Sequence, residues 1–291
     1  KTPLHLAAWK GQIDVVRFLL EKSAKIEVTD KNEQTPLHVA APGGHKDVVQ
    51  LLLEKNAEIE TPDQTGWAPL HLAAWKGQID VVQFLLEKSA KIEATDKNEQ
   101  TPLHLAVRCG HIDVVQLLLE KNAEIEAKSS LGRTPVHVAS LRGHIDVVQV
   151  LLEKSASIET TDKAGQTPLH GAVGKCHIDV VQLLLEKNAE IDAADETGQT
   201  PLHVAVLHCH IDVVQLLLEK NAETEAKSSF GRTPLFLAAE ECQIEVAQLL
   251  LKKNAQIATT NEAGDTPLSC AIDLGFGKFV DVLFEHIPKA G

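Results

Sequence analysis

The sequence lacks the short motifs that mark common catalytic and nucleotide-binding sites. It contains no G-x-x-x-x-G-K-[ST] phosphate loop, no G-x-S-x-G nucleophile elbow and no H-E-x-x-H zinc motif. We therefore expect no catalytic residue, no cofactor and no metal, and a protein that is not an enzyme.

An excess of basic residues and a long apolar run are also missing. The formal net charge is −13 at pH 7, whereas nucleic acids and anionic membranes attract clustered Lys and Arg. No apolar stretch approaches the roughly 18 residues that span a bilayer, and no signal peptide is visible. We therefore expect no nucleic acid partner, no membrane insertion and a cytoplasmic location.

No Gly/Ser-rich or Pro-rich linker divides the chain. Instead, the tetrapeptide Thr-Pro-Leu-His, or a close variant, recurs every 33 residues. The copies begin at Thr2, Thr35, Ala68, Thr101, Thr134, Thr167, Thr200, Thr233 and Thr266. Because a fixed period of this length makes each unit a module that buries its apolar face against its neighbours, the sequence predicts a stack of modules.

Local chemistry predicts two short helices in each unit. Thr2 is a good N-cap, and Pro3 suits the first helical position. Gly11 can adopt the left-handed conformation that ends this helix, and the apolar residues between Ile13 and Leu20 leave one polar stripe on a second helix. A polar segment then follows, in which Asn or Ser tolerates a left-handed turn.

A period of 33 residues with the pattern T-P-L-H-x-A resembles the ankyrin repeat along the whole chain. The resemblance implies an all-α repeat fold, a solenoid of stacked helix-turn-helix units with β-hairpin fingers. We predict one domain, residues 1–291, with a C-terminal cap that Pro288 ends. Its repeats are 2–34, 35–67, 68–100, 101–133, 134–166, 167–199, 200–232, 233–265 and the cap at 266–291.

The resemblance further implies a non-enzymatic scaffold that binds a protein or peptide partner in a concave groove between the fingers and the first helices. We expect the scaffold to be a monomer. One alternative is a recognition array cut from a larger enzyme, channel, toxin or effector, because Lys1 begins in mid-repeat and would leave Leu4 and Leu6 exposed. Another is a metal-dependent protein, suggested by the adjacent residues His208, Cys209 and His210, although three adjacent side chains cannot all converge on one zinc ion.

Most chemically reactive side chains recur with the period, and we interpret them as scaffold. Twelve of the 14 histidines fill two repeat slots, and the resemblance implies that those of the Thr-Pro-Leu-His motif hydrogen-bond within and between repeats. Cys176, Cys209 and Cys242 share one slot, too far apart for disulfides, where other repeats have glycine.

Carboxylates also hold one finger position in successive repeats. The pattern indicates either an acidic ladder that faces a basic partner or a solvated edge that prevents aggregation, and we favour the solvated edge. The residues are Glu27, Glu60, Glu93, Glu126, Glu159, Asp192 and Glu225.

Partner contacts are predicted at positions that vary between repeats while facing the same way. The two residues before the inter-helix turn vary most, and the finger tips vary too. Trp, Leu and Arg at such positions are typical of binding hot spots or interfaces. The predicted partner-binding residues are Trp9, Lys10, Trp67, Trp75, Lys76, Arg108, Leu131, Leu141, Arg142, Lys175, Leu207, His208, Phe230, Glu240 and Glu241.

Overall fold

The computed structural model describes residues 1–286, so the predicted helix end at Pro288 lies outside the described residues. Over that range the chain forms eighteen α-helices, a short 3-10 turn at Ala41–Gly43 and no β-strand. The helices are α1 Pro3–Trp9, α2 Ile13–Glu21, α3 Pro36–Ala40, α4 Lys46–Glu54, α5 Pro69–Trp75, α6 Ile79–Glu87, α7 Pro102–Cys109, α8 Ile112–Glu120, α9 Pro135–Arg142, α10 Ile145–Glu153, α11 Pro168–Gly174, α12 Ile178–Glu186, α13 Pro201–Leu207, α14 Ile211–Glu219, α15 Pro234–Glu240, α16 Ile244–Lys252, α17 Pro267–Asp273 and α18 Gly277–Glu285. This series of helix pairs confirms the all-α repeat fold.

Contacts between Cα atoms divide the chain into two compact units. Unit 1 comprises Lys1–Ala139 and Asp146–Ser157, and unit 2 comprises Ser140–Ile145 and the residues from Ile158 onward. Within each unit, first helices pack on first helices of the next repeat, as α1 does on α3 and α13 on α15. Second helices do the same, as α2 does on α4 and α14 on α16. Each unit is thus a stack of repeats, while the single domain over 1–291 stays a prediction.

The Thr-Pro-Leu-His motif begins each first helix and also links neighbouring repeats. Thr35 Oγ1 accepts the backbone N–H of His38 at 3.5 Å, and the backbone N–H of Thr35 donates to Nδ1 of His38 at 3.2 Å. Because Nδ1 accepts, the ring proton is assigned to Nε2, which donates to the carbonyl oxygen of Trp67 at 3.0 Å. The same inter-repeat bond is made by His5, His71, His104, His170 and His203.

Burial disfavours the charged form of two of these histidines, His38 and His104. Burial lowers the pKa of His38 and His104 below the ordinary value of 6.5, although the carbonyl oxygens of Trp67 and Arg133 oppose the shift. Protonation of Nδ1 would also place a ring N–H against a backbone N–H donor. The structure therefore confirms the hydrogen-bonding role that the resemblance implied at these positions.

The acidic finger position forms a second link between repeats. Glu60 Oε1 accepts the backbone N–H of Lys91, and Glu93 Oε1 accepts that of Glu124, both at 2.8 Å. Equivalent bonds of 2.7 to 3.1 Å join Glu27 to Glu58, Glu126 to Ser157, Glu159 to Glu190, Asp192 to Glu223 and Glu225 to Gln256. These bonds are exposed, so the solvated edge also links repeats, because each carboxylate satisfies a backbone donor of the next repeat.

The polar segment after each second helix forms a tight turn, without the strands of a β-hairpin in the described residues. The backbone N–H of Asp63 donates to the carbonyl oxygen of Trp67 at 2.9 Å. Asp63 Oδ1 accepts the backbone N–H groups of Thr65 and Trp67 at 2.8 and 3.0 Å. Burial raises the pKa of Asp63, but hydrogen bonds from Thr65, Gln34 and Trp67 outweigh it and hold the pKa below 3.8. The side chain thus takes donors that a strand would otherwise pair.

The turn between the two helices requires a positive φ, which three cysteines adopt. Gly11 and Gly77 have φ of 68° and 72°, and Cys176, Cys209 and Cys242 have φ of 58°, 53° and 53°. A left-handed residue with a side chain is strained. The cysteines therefore accept strain that glycine avoids, and their thiols are free.

A side chain in this slot also crowds the next repeat. A Cβ at Gly143 would lie 2.5 Å from Nδ1 of His177, whose Nε2 lies 3.2 Å from the carbonyl oxygen of Leu141. Where Cys176 fills the slot, the equivalent distance from His210 Nε2 to the carbonyl oxygen of Gly174 is 3.5 Å. The bond of His210 beside Cys176 is therefore longer than those of His45, His111 and His177 beside glycine.

Leu4 and Leu6 behave differently in the first repeat. Leu6 is 46% exposed, as expected, but Leu4 is only 2% exposed. The expectation for Leu4 is wrong, because α1 packs against both α2 and α3 and Leu4 lies on the buried side of α1.

Candidate functional site

The residues that vary between repeats lie at the C-terminal ends of the first helices. Trp9 and Trp75 end α1 and α5, while Leu207 and Glu240 end α13 and α15. The left-handed residue of the inter-helix turn follows closely, so these side chains leave the helix just before the chain reverses. Trp9 is 53% exposed and Leu207 is 39% exposed. The variable pairs are therefore accessible within their own units.

In unit 1, four predicted residues form one surface, the tryptophan cluster of Trp67, Trp75, Lys76 and Arg108. The ring centroids of Trp67 and Trp75 lie 5.5 Å apart at a tilt of 58°. The guanidinium carbon of Arg108 lies 6.0 Å from the Trp67 ring, and Lys76 Nζ lies 4.0 Å from the Trp75 ring. Such contacts are each worth about 0.5–1.5 kcal/mol. A finger turn and two helix ends thus contribute to a single patch.

Hydrogen bonds hold two members of the tryptophan cluster, Trp67 and Arg108. Trp67 Nε1 donates to Oδ2 of Asp96 at 2.9 Å, and Arg108 donates to Oε1 of Gln100 at 3.1 Å. Asp96 is itself buried and accepts backbone N–H groups from Asn98 and Gln100. Because these side chains are ordered before any partner arrives, binding costs less conformational entropy.

A cleft of about 260 Å³ adjoins the tryptophan cluster. Trp9 and Trp75 line it together with Pro42 and Gly43, which occupy the variable positions of the intervening repeat. Small side chains at 42 and 43 leave space between the two indoles. Three successive repeats of unit 1 therefore contribute predicted or equivalent positions to one depression.

In unit 2, four predicted residues line a second depression of about 780 Å³, which we name the acidic cleft. These are Leu207, Phe230, Glu240 and Glu241. Arg232 lies among them, with a guanidinium nitrogen 3.0 Å from Glu240 Oε1 and its guanidinium carbon 5.5 Å from the Phe230 ring. Burial raises the pKa of Glu240 above 4.5, and Glu241 adds to the rise while Arg232 opposes it.

Six predicted residues lie outside the tryptophan cluster and line neither depression. Lys10, Leu131, Arg142, Lys175 and His208 are exposed, and Leu141 is half-buried. The ring of His208 stacks on that of His210 at a centroid distance of 5.6 Å. Whether any of the six contacts a partner stays a prediction.

Two groups of site residues were missed by reasoning from the sequence. Asp96, which anchors Trp67, was hidden because the contact joins residues 29 positions apart. Asp273 and Leu274 line the acidic cleft and occupy the variable pair of the ninth repeat. Extending the alignment of variable pairs to that repeat would have found them.

The described residues were also searched for a metal site and for a helix that could span a membrane. No group of three or more His, Cys, Asp or Glu side chains in residues 1–286 is placed to hold a metal ion. Among the helices described above, none has both the length and the hydropathy needed to cross a bilayer.

Comparison with known proteins identifies the class. The family model for ankyrin repeats (3 copies) matches residues 4–96, 90–162, 156–228 and 221–290. The crystal structure of the human ASB11 ankyrin repeat domain is similar, with a TM-score of 0.70 and 29% identity over 77% of this chain and 99% of that chain. A search of curated proteins found no match. The chain belongs to the ankyrin-repeat family, whose members are generally protein–protein interaction modules with a typically non-catalytic fold.

Proposed function

We propose that the chain is a non-enzymatic scaffold that binds a protein partner on the surface formed by its finger turns and first-helix ends. The observation that carries this proposal is the tryptophan cluster. Two indoles with a guanidinium over one of them are exposed in part at positions that differ from repeat to repeat. Trp and Arg are the residue types most enriched at binding hot spots.

The contrast with the scaffold positions supports the same proposal. Recurring side chains such as His38 and Glu60 are already engaged in bonds to the next repeat. Because their polar atoms bind the neighbouring repeat, we assign specificity for a partner to the side chains that vary between repeats. A monomeric state and a cytoplasmic location belong to the proposal, and the five free cysteines are in keeping with a reducing compartment.

Capture from the source cell, quantified by mass spectrometry, tests the proposal. We compare the parent chain with a variant that carries Trp67→Ala, Trp75→Ala and Arg108→Ala. Loss of a central hot spot commonly costs more than 2 kcal/mol, so we expect retention of the partner to fall at least about tenfold.

The matched control carries Gln50→Ala and Gln83→Ala. These glutamines are exposed on second helices of the same unit, where each donates to a glutamate one turn away. Both variants should keep the far-ultraviolet circular dichroism of the parent. Equal retention by the cluster variant and the control would refute the assignment of this surface.

A further inference from the structure

The acidic cleft spans three consecutive repeats of unit 2. Phe230 comes from one finger turn and Asp265 from the next, while Leu207, Glu240 and Asp273 are the last residues of α13, α15 and α17. Repeats pack roughly 10 Å apart, and an extended chain advances about 3.3 Å per residue. An extended segment that follows the cleft would therefore present about three residues to each repeat.

Large apolar side chains are exposed along this cleft. Phe230 is 61% exposed, Leu274 is 50% exposed and Leu207 is 39% exposed, and all three line it. Contiguous apolar surface rimmed by polar groups commonly marks an interaction site on a soluble protein. The cleft thus offers area for apolar side chains of a partner.

The charge of the acidic cleft indicates that the partner also carries basic side chains. Among the described lining residues, four carboxylates, those of Glu240, Glu241, Asp265 and Asp273, face one guanidinium, that of Arg232. Burial raises the pKa of Glu240 and of Cys270, and the nearby carboxylates add to both shifts while Arg232 opposes them. An acidic or neutral partner would leave these carboxylates unpaired.

The chain itself shows how a cation is accommodated here. Arg232 lies over the ring of Phe230 while pairing with Glu240 at 3.0 Å. Glu241 and Asp273 are more exposed and have no such partner among the ion pairs of the described residues. Ser228, another lining residue, has a buried hydroxyl without a hydrogen-bond partner.

We propose that the acidic cleft binds an extended segment of a partner protein in which Lys or Arg lies next to large apolar side chains. The apolar side chains contact Phe230 and Leu274, and the cation faces Glu241 and Asp273. This inference rests on the proposed function and adds the chemistry of the partner.

Panning a phage-displayed library of random dodecapeptides against the full chain tests it. We expect enriched peptides to combine Lys or Arg with a neighbouring Leu, Ile, Phe or Val. Synthetic copies, measured by fluorescence anisotropy, should lose about tenfold in affinity on Phe230→Ala and at least as much on the double charge reversal Glu241→Lys with Asp273→Lys. Their affinity should also fall as salt is raised.

The matched control reverses two charges elsewhere in unit 2, Glu186→Lys and Glu219→Lys, at the exposed ends of α12 and α14. It changes the net charge equally and should leave affinity within about twofold, because neither residue lines the acidic cleft. Equal loss in both double variants would overturn the inference, as would acidic or uncharged enriched peptides. Peptides that need Phe230 but not the carboxylates would leave the proposed function standing and refute only the basic partner, whereas failure to enrich any peptide overturns the inference alone.

Discussion

Replacing Cys176 with glycine should stabilise the protein, although it removes a side chain. Cys176 has φ of 58° in a turn where other repeats have glycine. A left-handed residue with a Cβ costs about 1–2 kcal/mol of stability. Glycine removes this cost, but it also raises the entropy of the unfolded chain, which lowers the gain by about 0.4–1 kcal/mol.

Relief of crowding adds a second gain. His210 Nε2 lies 3.5 Å from its carbonyl acceptor beside Cys176, whereas His45, His111 and His177 lie beside glycines of the preceding repeat and reach theirs at 3.0, 3.0 and 3.2 Å. Recovering a bond of ordinary length is worth about 0.5 kcal/mol. The sum predicts that Cys176→Gly raises the free energy of unfolding by about 0.5–2 kcal/mol.

Urea titration followed by far-ultraviolet circular dichroism measures this change. The transition midpoint should rise while its slope stays constant, because the surface exposed on unfolding is nearly unchanged. Gly143→Cys should do the reverse and lower stability by about 0.5–2 kcal/mol, since its Cβ would lie 2.5 Å from His177.

Cys109→Ala is the control for loss of a thiol. Cys109 ends α7 without a positive φ, so its replacement should change stability by less than about 0.5 kcal/mol. A lower midpoint for Cys176→Gly together with a neutral Cys109→Ala would refute the argument from left-handed strain.

Three further outcomes are expected. The pKa of buried His38 and His104 lies below the unfolded value of 6.5, so the unfolded chain binds more protons than the folded one. The contribution of these histidines to the free energy of unfolding is therefore complete above about pH 6.5 and is lost as pH falls from there through the folded pKa. Equal urea midpoints at pH 7.5 and 5.5 would contradict this. Glu93→Ala leaves the N–H of Glu124 without its carboxylate acceptor and should cost about 0.5–1.5 kcal/mol by urea titration, whereas Glu93→Gln keeps an acceptor and should cost less. Glu33, with φ of 61° where most repeats have glycine, should gain about 0.5–1 kcal/mol on Glu33→Gly, and an unchanged melting temperature would show that the finger turn carries no such strain.

Much of the fold follows from the sequence because its signals are local. Thr35 and Pro36 act on the helix that they begin, and the left-handed turn depends on a single residue. The finger strands failed as a prediction because Asp63, two residues before Thr65, takes the donors itself. Periodicity alone does not separate a side chain that recurs for this reason from one that recurs for solubility.

The candidate site was harder to predict because its contacts cross repeats. The sequence identified Trp67 and Trp75 as variable, but their pairing and the bond from Trp67 to Asp96 depend on how one finger lies against the next. The role of Glu60 was missed for the same reason, since its acceptor bond reaches 31 residues along the chain. Variation shows which side chains are free to change, and only packing shows which of them meet.

The joints between repeats join residues at fixed offsets, 29 for the histidine ring, 31 for the finger carboxylate and 36 for the inter-helix histidine. Excision of one whole period, such as residues 35–67 of unit 1, would bring the same chemical groups together across the new junction. Genetic recombination could therefore shorten or lengthen the array in whole steps without designing a new core. A shortened chain of this kind should still give a sigmoidal urea transition, and a gradual one would show that the joints are not interchangeable.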